Sequence, residues 1–114
     1  MPSYKAAVEN IVDVQEGDYF ERVFNLVTLD VTGKSGKAQV REDEGKPVLL
    51  EFSTANATMI CSGTQITIKC DADKFTLTKG IYYYDLQIYT TAQDVSTIIK
   101  GSFEVGNNGG QITV

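Results

Sequence analysis

Apolar and polar residues alternate with a period of two through much of this chain. In Thr64-Gln65-Ile66-Thr67-Ile68-Lys69-Cys70, the residues Ile66, Ile68 and Cys70 share one side, and Gln65, Thr67 and Lys69 the other. From Ile81 to Thr90, Tyr82, Tyr84, Leu86 and Ile88 fall on one side, with Tyr83, Asp85, Gln87 and Tyr89 opposite. From Val95 to Val105 the apolar set is Val95, Ile99, Phe103 and Val105, with Gly101 between them. Val48, Leu50 and Phe52 alternate with Leu49, Glu51 and Ser53, and Ala38 and Val40 with Lys37, Gln39 and Arg41. Successive strand side chains point to opposite faces, so each segment predicts a half-buried β-strand. The β-branched and aromatic residues that fill them suit a pleated surface.

The early segments are less regular. Val8, Val12 and Val14 predict a first strand, but Ile11 breaks the parity. Between Tyr19 and Leu29 both sides carry apolar residues: Phe20, Phe24 and Leu26 on one, Val23, Val27 and Leu29 on the other. That pattern predicts a central strand covered on both faces, or one carrying a bulge. Turn chemistry separates the runs at Glu16-Gly17-Asp18, Thr32–Gly36, Asp43–Pro47, Ser62-Gly63, Gln93-Asp94 and Asn107–Gly110. Only the stretch from Asp71 to Lys79 leaves room for a short helical turn, near residues 72–78, closed by Gly80. The expectation is an all-β sandwich of seven to eight mostly antiparallel strands. At 114 residues it forms one domain, residues 1–114.

Composition changes this picture in a few places. Fifteen acidic against ten basic residues give a net charge of −5, which works against nucleic-acid binding. The absence of histidine removes the usual general base and the commonest transition-metal ligand. No apolar run has the length needed to cross a bilayer, and the N-terminal segment is too polar for a secretory signal. The expectation is therefore a chain folded in the cytoplasm, without membrane or nucleic-acid partners. Cys61 and Cys70 flank a tight turn at Ser62-Gly63, which sets Cys70 about 20 Å from the turn and predicts two free thiols.

Candidate chemistry is sparse. Asp71, Asp73 and Lys74 lack the third ligand, glycine and distal glutamate of a calcium loop, and read as a solvated turn. Glu42, Asp43 and Glu44 read as an exposed acidic tip. Without histidine, serine and threonine have no partner for nucleophilic catalysis, and Thr32–Gly36 lacks phosphate-loop spacing. No catalytic, cofactor-binding or metal residues are assigned. The tyrosines are the remaining candidates: alternation sends Tyr82 and Tyr84 inward with Leu86, and leaves Tyr83 and Tyr89 outward as a possible subunit contact.

Three stretches carry a resemblance to a known group. The first is Ile11-Val12-Asp13-Val14-Gln15-Glu16-Gly17-Asp18, followed by Phe20 and Phe24. The second runs from Val31-Thr32-Gly33 through Ala38-Gln39-Val40-Arg41. The third is Leu77-Thr78-Lys79-Gly80-Ile81-Tyr82-Tyr83-Tyr84-Asp85-Leu86, continuing through Ile98–Val105 to Ile112-Thr113. Over residues 11–114 the chain resembles the immunoglobulin-like structural proteins of tailed bacteriophages, including the N-terminal domain of upper baseplate proteins.

The resemblance implies an immunoglobulin-like sandwich and a non-enzymatic virion subunit of tail, baseplate or collar, made in the host cytoplasm. It implies other virion structural proteins as partners and a homo-oligomeric ring, held by edge strands and by loops such as Glu42–Lys46 and Asn107–Gly110. In the third stretch, Gly101 is expected to leave room for Tyr82 or Tyr84. The competing expectations are a glycan-binding or adhesion module using the exposed tyrosines, and a non-phage domain acting by strand exchange.

Overall fold

The structure, a computed structural model, describes residues 7–91 and 93–106. The turn at Asn107–Gly110 and the closing segment Ile112-Thr113 lie outside these residues. Nine strands occur among the described residues: β1 (Ala7–Val8), β2 (Ile11–Gln15), β3 (Phe20–Asn25), β4 (Ser35–Arg41), β5 (Val48–Ser53), β6 (Met59–Ser62), β7 (Gln65–Cys70), β8 (Gly80–Tyr89) and β9 (Ser96–Gly106). The helical content there is a single 3₁₀ turn, Ala72–Lys74, inside the stretch expected to hold one.

The strands form two sheets. In the larger, β9, β8, β4 and β5 lie side by side and antiparallel, while β1 and β2 both run parallel to β9 along its other edge. The smaller sheet is β3-β7-β6, antiparallel throughout. The chain crosses between sheets after β2, β3, β5 and β7, which makes this a β-sandwich. The count exceeds the expected seven to eight because the first strand is split in two and because β6, only four residues long, shows too little alternation to be read from sequence.

The inward residues of both sheets meet in one aromatic-rich core. Phe103 is completely buried and lies 5.3 Å from Phe20, 6.2 Å from Tyr84 and 6.5 Å from Phe75, measured between ring centres. Phe20 also meets Phe52 at 5.7 Å, so rings from both sheets are joined in the middle. Ile66, Ile68, Ala38, Val40, Leu86 and Ile99 fill the remaining layer with almost no exposure.

Two bulges explain the positions where parity fails. Ile11 pairs with Phe103 and Val14 with Val105, so three steps on β2 match two on β9, and Ile11 and Val14 are both buried. On β9, Leu86 pairs with Ile99 and Gln87 with Thr97, which leaves Ile98 as the extra residue and buries it beside Ile99. Val95 precedes β9 and is exposed.

The segment from Tyr19 to Leu29 is not a central strand. β3 is an edge strand that ends at Asn25, and only Phe20 and Phe24 point inward, leaving Val23 46% exposed. The strand is stopped by a turn. Asn25 Oδ1 accepts from the Val27 amide at 3.0 Å, the Thr28 amide donates to the Leu26 carbonyl at 2.7 Å, and Val27 sits at φ +65°. A β-branched residue in the left-handed region is strained, and Val27 is 76% exposed, so nothing buried compensates. Val27→Gly is expected to stabilise the protein by about 1 kcal/mol, read as an increased denaturant midpoint; a lower midpoint would show that the valine makes contacts outweighing its strain.

The cysteines are free. Cys61 pairs with Ile66 across the β6–β7 hairpin, and Cys70 lies four residues further along β7, about 13 Å away. Burial pushes both thiols above their ordinary range.

Candidate interaction surface

The outer face of the larger sheet carries a polar layer whose order is set by strand register. Glu51 on β5, Gln39 on β4, Asp85 on β8 and Lys100 on β9 stand in one row, each the cross-strand partner of the next. Arg41, Tyr83 and Ser102 form the adjacent row on one side. Lys37, Gln87 and Thr97 form the row on the other, with Ser35 and Tyr89 beyond them. Alternation drives this arrangement, because Ala38, Val40, Tyr84, Leu86 and Ile88 occupy the inward positions of the same two central strands.

Hydrogen bonds tie the layer together. Gln39 Nε2 donates to Glu51 Oε2 at 2.7 Å, and Arg41 Nη2 donates to Gln39 Oε1 at 2.7 Å. Arg41 Nη1 lies 3.9 Å from Asp85 Oδ2. The Arg41 and Asp85 side chains are only 20% and 16% exposed, low for a pair on the outside of a sheet. Asp85 Oδ1 is buried among its neighbours and accepts no hydrogen bond.

Burial holds the Asp85 carboxyl above the usual carboxylate range; Arg41 and Lys37 draw it down and Glu44 adds to the rise. A raised acid in the folded state favours the protonated form. Its contribution to stability is therefore full below the unfolded pKa and lost as pH rises through the folded one. Asp85→Asn removes that dependence. The melting temperature of the variant is expected to gain on that of the wild type as pH is raised from about 3 to about 7; a difference that stays constant with pH would contradict a raised Asp85.

Both outward tyrosines are half-buried on this face, as alternation requires. Burial is also the main cause that raises the Tyr83 phenol, with the charges of Asp85 and Glu44 adding to it. Tyr89 lies six positions beyond Tyr83 along β8, about 20 Å, so they mark opposite ends of the face and do not form one aromatic platform. At the Tyr89 end, Asp94 accepts the Thr90 and Thr91 amides at 2.8 Å each, which holds its carboxyl below the usual range. Tyr82 packs against the core from the inner side, and its hydroxyl donates to the Thr78 carbonyl at 2.7 Å.

The remaining sequence candidates stay apart from this layer or at its margin. Glu42, Asp43 and Glu44 form an exposed turn past the end of β4, closed by a bond from the Lys46 amide to the Asp43 carbonyl at 3.1 Å. Asp71 and Asp73 belong to the 3₁₀ turn, where the Lys74 amide donates to the Asp71 carbonyl at 2.9 Å. Among the described residues, no three His, Cys, Asp or Glu side chains come together to hold a metal ion. A mostly apolar pocket of about 350 Å³ opens beside β1, where Leu26, Val27, Leu29, Ile98 and Ile99 are joined by the polar Glu9, Asn25 and Thr28.

Alternation assigns Arg41, Asp85, Glu51 and Gln39 to outward positions, but their assembly into one network depends on which strands are neighbours. A scan against protein-family models finds no match to the chain, and a search of curated proteins finds none either.

Proposed function

We propose that this protein is a non-enzymatic structural subunit of a tailed-bacteriophage virion, in the tail, baseplate or collar. It assembles by protein–protein contacts with other virion structural proteins and with copies of itself in a ring. It is made in the host cytoplasm and ends in the particle.

The observation that carries this reading is the outer face of the larger sheet. Tyrosine and arginine are the residue types that protein interfaces favour, and here Tyr83 and Tyr89 share one face with Arg41, which hydrogen bonds hold to Gln39 and through it to Glu51. A pre-ordered layer loses little side-chain freedom when a partner covers it. Closed symmetry repeats subunit contacts several times, so individually modest interfaces hold an assembly together. The sequence resemblance to phage immunoglobulin-like proteins supplies the particle.

A glycan-binding module is supported less well. Sugar rings stack on grouped aromatics, whereas Tyr83 and Tyr89 lie about 20 Å apart with Asp85 and Gln87 between them.

Deletion of the coding sequence from the phage genome tests the reading, with the particles imaged by electron microscopy. The expected result is particles with a missing or incomplete tail, baseplate or collar, restored by supplying the protein from a plasmid. Complete particles after deletion would overturn it.

A further inference from the structure

The outer row of the larger sheet runs from acid to base: Glu51, Gln39, Asp85, Lys100. This order is self-complementary. A two-fold axis parallel to the strands, lying between β4 and β8, brings β5 of one copy over β9 of the other and β4 over β8. Under that operation Glu51 faces Lys100 of the second copy, and Gln39 faces its Asp85, with both contacts occurring twice. In the next row Arg41 comes over the ring of the second copy's Tyr83, an arrangement that favours a cation–π contact. Lys37 meets Gln87, and Ser35 meets Tyr89.

We propose that two copies of this chain pair face to face through these outer sheet surfaces. The proposal rests on reading the chain as an assembling subunit, and it names one partner and the face used. One further observation favours it: the face has the size of a small specific contact. Four strands about 4.8 Å apart and seven residues long give roughly 450 Å² per copy, about 900 Å² for the pair. That lies near the lower limit for a specific interface, so the dimer is weak and concentration-dependent.

Within one copy, Glu51 and Lys100 are three strands apart, about 14 Å, and do not pair with each other, but Lys100 stands opposite Asp85 and Glu51 accepts from Gln39, so each reversal also alters a contact inside its own copy. Both are exposed, and neither reversal disturbs the core. Between copies, Glu51→Lys or Lys100→Glu alone sets two like-charge pairs against each other. The double variant restores both attractions with the signs exchanged.

Sedimentation equilibrium of the purified full chain, over a series of concentrations, reads the result. The wild type is expected to show a monomer–dimer equilibrium, each single reversal to weaken it by about ten-fold or more, and the double reversal to return it close to the wild-type value. Far-ultraviolet circular dichroism at the temperature of the run, showing all three variants folded, separates loss of contact from loss of fold. A wild type that stays monomeric throughout, or a double variant no tighter than either single one, would overturn the pairing. Neither outcome touches the virion reading, which depends on the particles. Conversely, a salt-sensitive dimer rescued by the charge exchange stands even for a chain absent from particles.

Discussion

Phe103→Ala is expected to lower the unfolding free energy by about 3–5 kcal/mol, the largest effect of any single truncation in this core. Phe103 has no exposed surface and touches Phe20, Phe75 and Tyr84, which come from β3, the segment before β8, and β8 itself. On its own sheet it pairs with Tyr82 on one side and Ile11 on the other. Removing the ring therefore empties the point where the two sheets and the N-terminal strand meet. The loss includes the transfer energy of the ring and the cavity left behind, because neighbours drawn from four segments cannot all move inward together. Urea unfolding followed by far-ultraviolet circular dichroism measures it. A loss below about 1 kcal/mol would mean that the core closes over the gap, and that Phe103 is not its centre.

Gly101→Ala is expected to cost about 2–3 kcal/mol, for a reason opposite to cavity formation. A Cβ at this position would lie 2.3 Å from the Glu9 carbonyl oxygen and 2.9 Å from its carbon, and both are backbone atoms. That carbonyl accepts the Tyr84 hydroxyl at 2.6 Å, while the Glu9 amide donates to the Lys100 carbonyl at 3.0 Å. The neighbouring Asn10 Oδ1 accepts from the Ser102 amide at 3.1 Å. The added methyl pushes the link between β1 and β2 off β9 and breaks this group of bonds together. Hydrogen exchange on the alanine variant should show protection lost in β1 and β2 and retained in β4 and β8. Unchanged protection along β2 would contradict the close approach at Gly101.

These two positions also mark where the sequence is and is not informative. In β4, β7 and β8 every outward residue except Ile81 is polar or tyrosine and each inward one apolar, tyrosine or glycine, so period-two alternation alone assigns the faces. Gly101 signals a close approach just as clearly. The nearest atom to it is the Glu9 carbonyl oxygen, which the hydroxyl of its cross-strand partner Tyr84 also reaches, and the parallel pairing of β1 and β2 with β9 that brings this carbonyl there leaves no local trace. The edge position of β3 is hidden for a related reason: Val23 and Val27 look like a second buried face, yet both are exposed, and only the turn after Asn25 reveals it.

The interaction surface divides in the same way. The outward placement of Tyr83 and Tyr89 follows from parity on a single strand. The row from Glu51 to Lys100 joins four strands through three registers, and each register is fixed by packing between segments far apart in the chain. Asp85 becomes a half-buried acid only because Arg41 and its neighbours surround it.

The central claim is that this protein is a component of the virion, present in the number that a symmetric assembly requires. Quantitative mass spectrometry of washed, gradient-purified tailed particles tests it most directly. The account predicts the protein at a fixed copy number per particle that is a small multiple of the tail's rotational symmetry. Absence from the washed particles, while the protein is expressed in the infected cells, would contradict it.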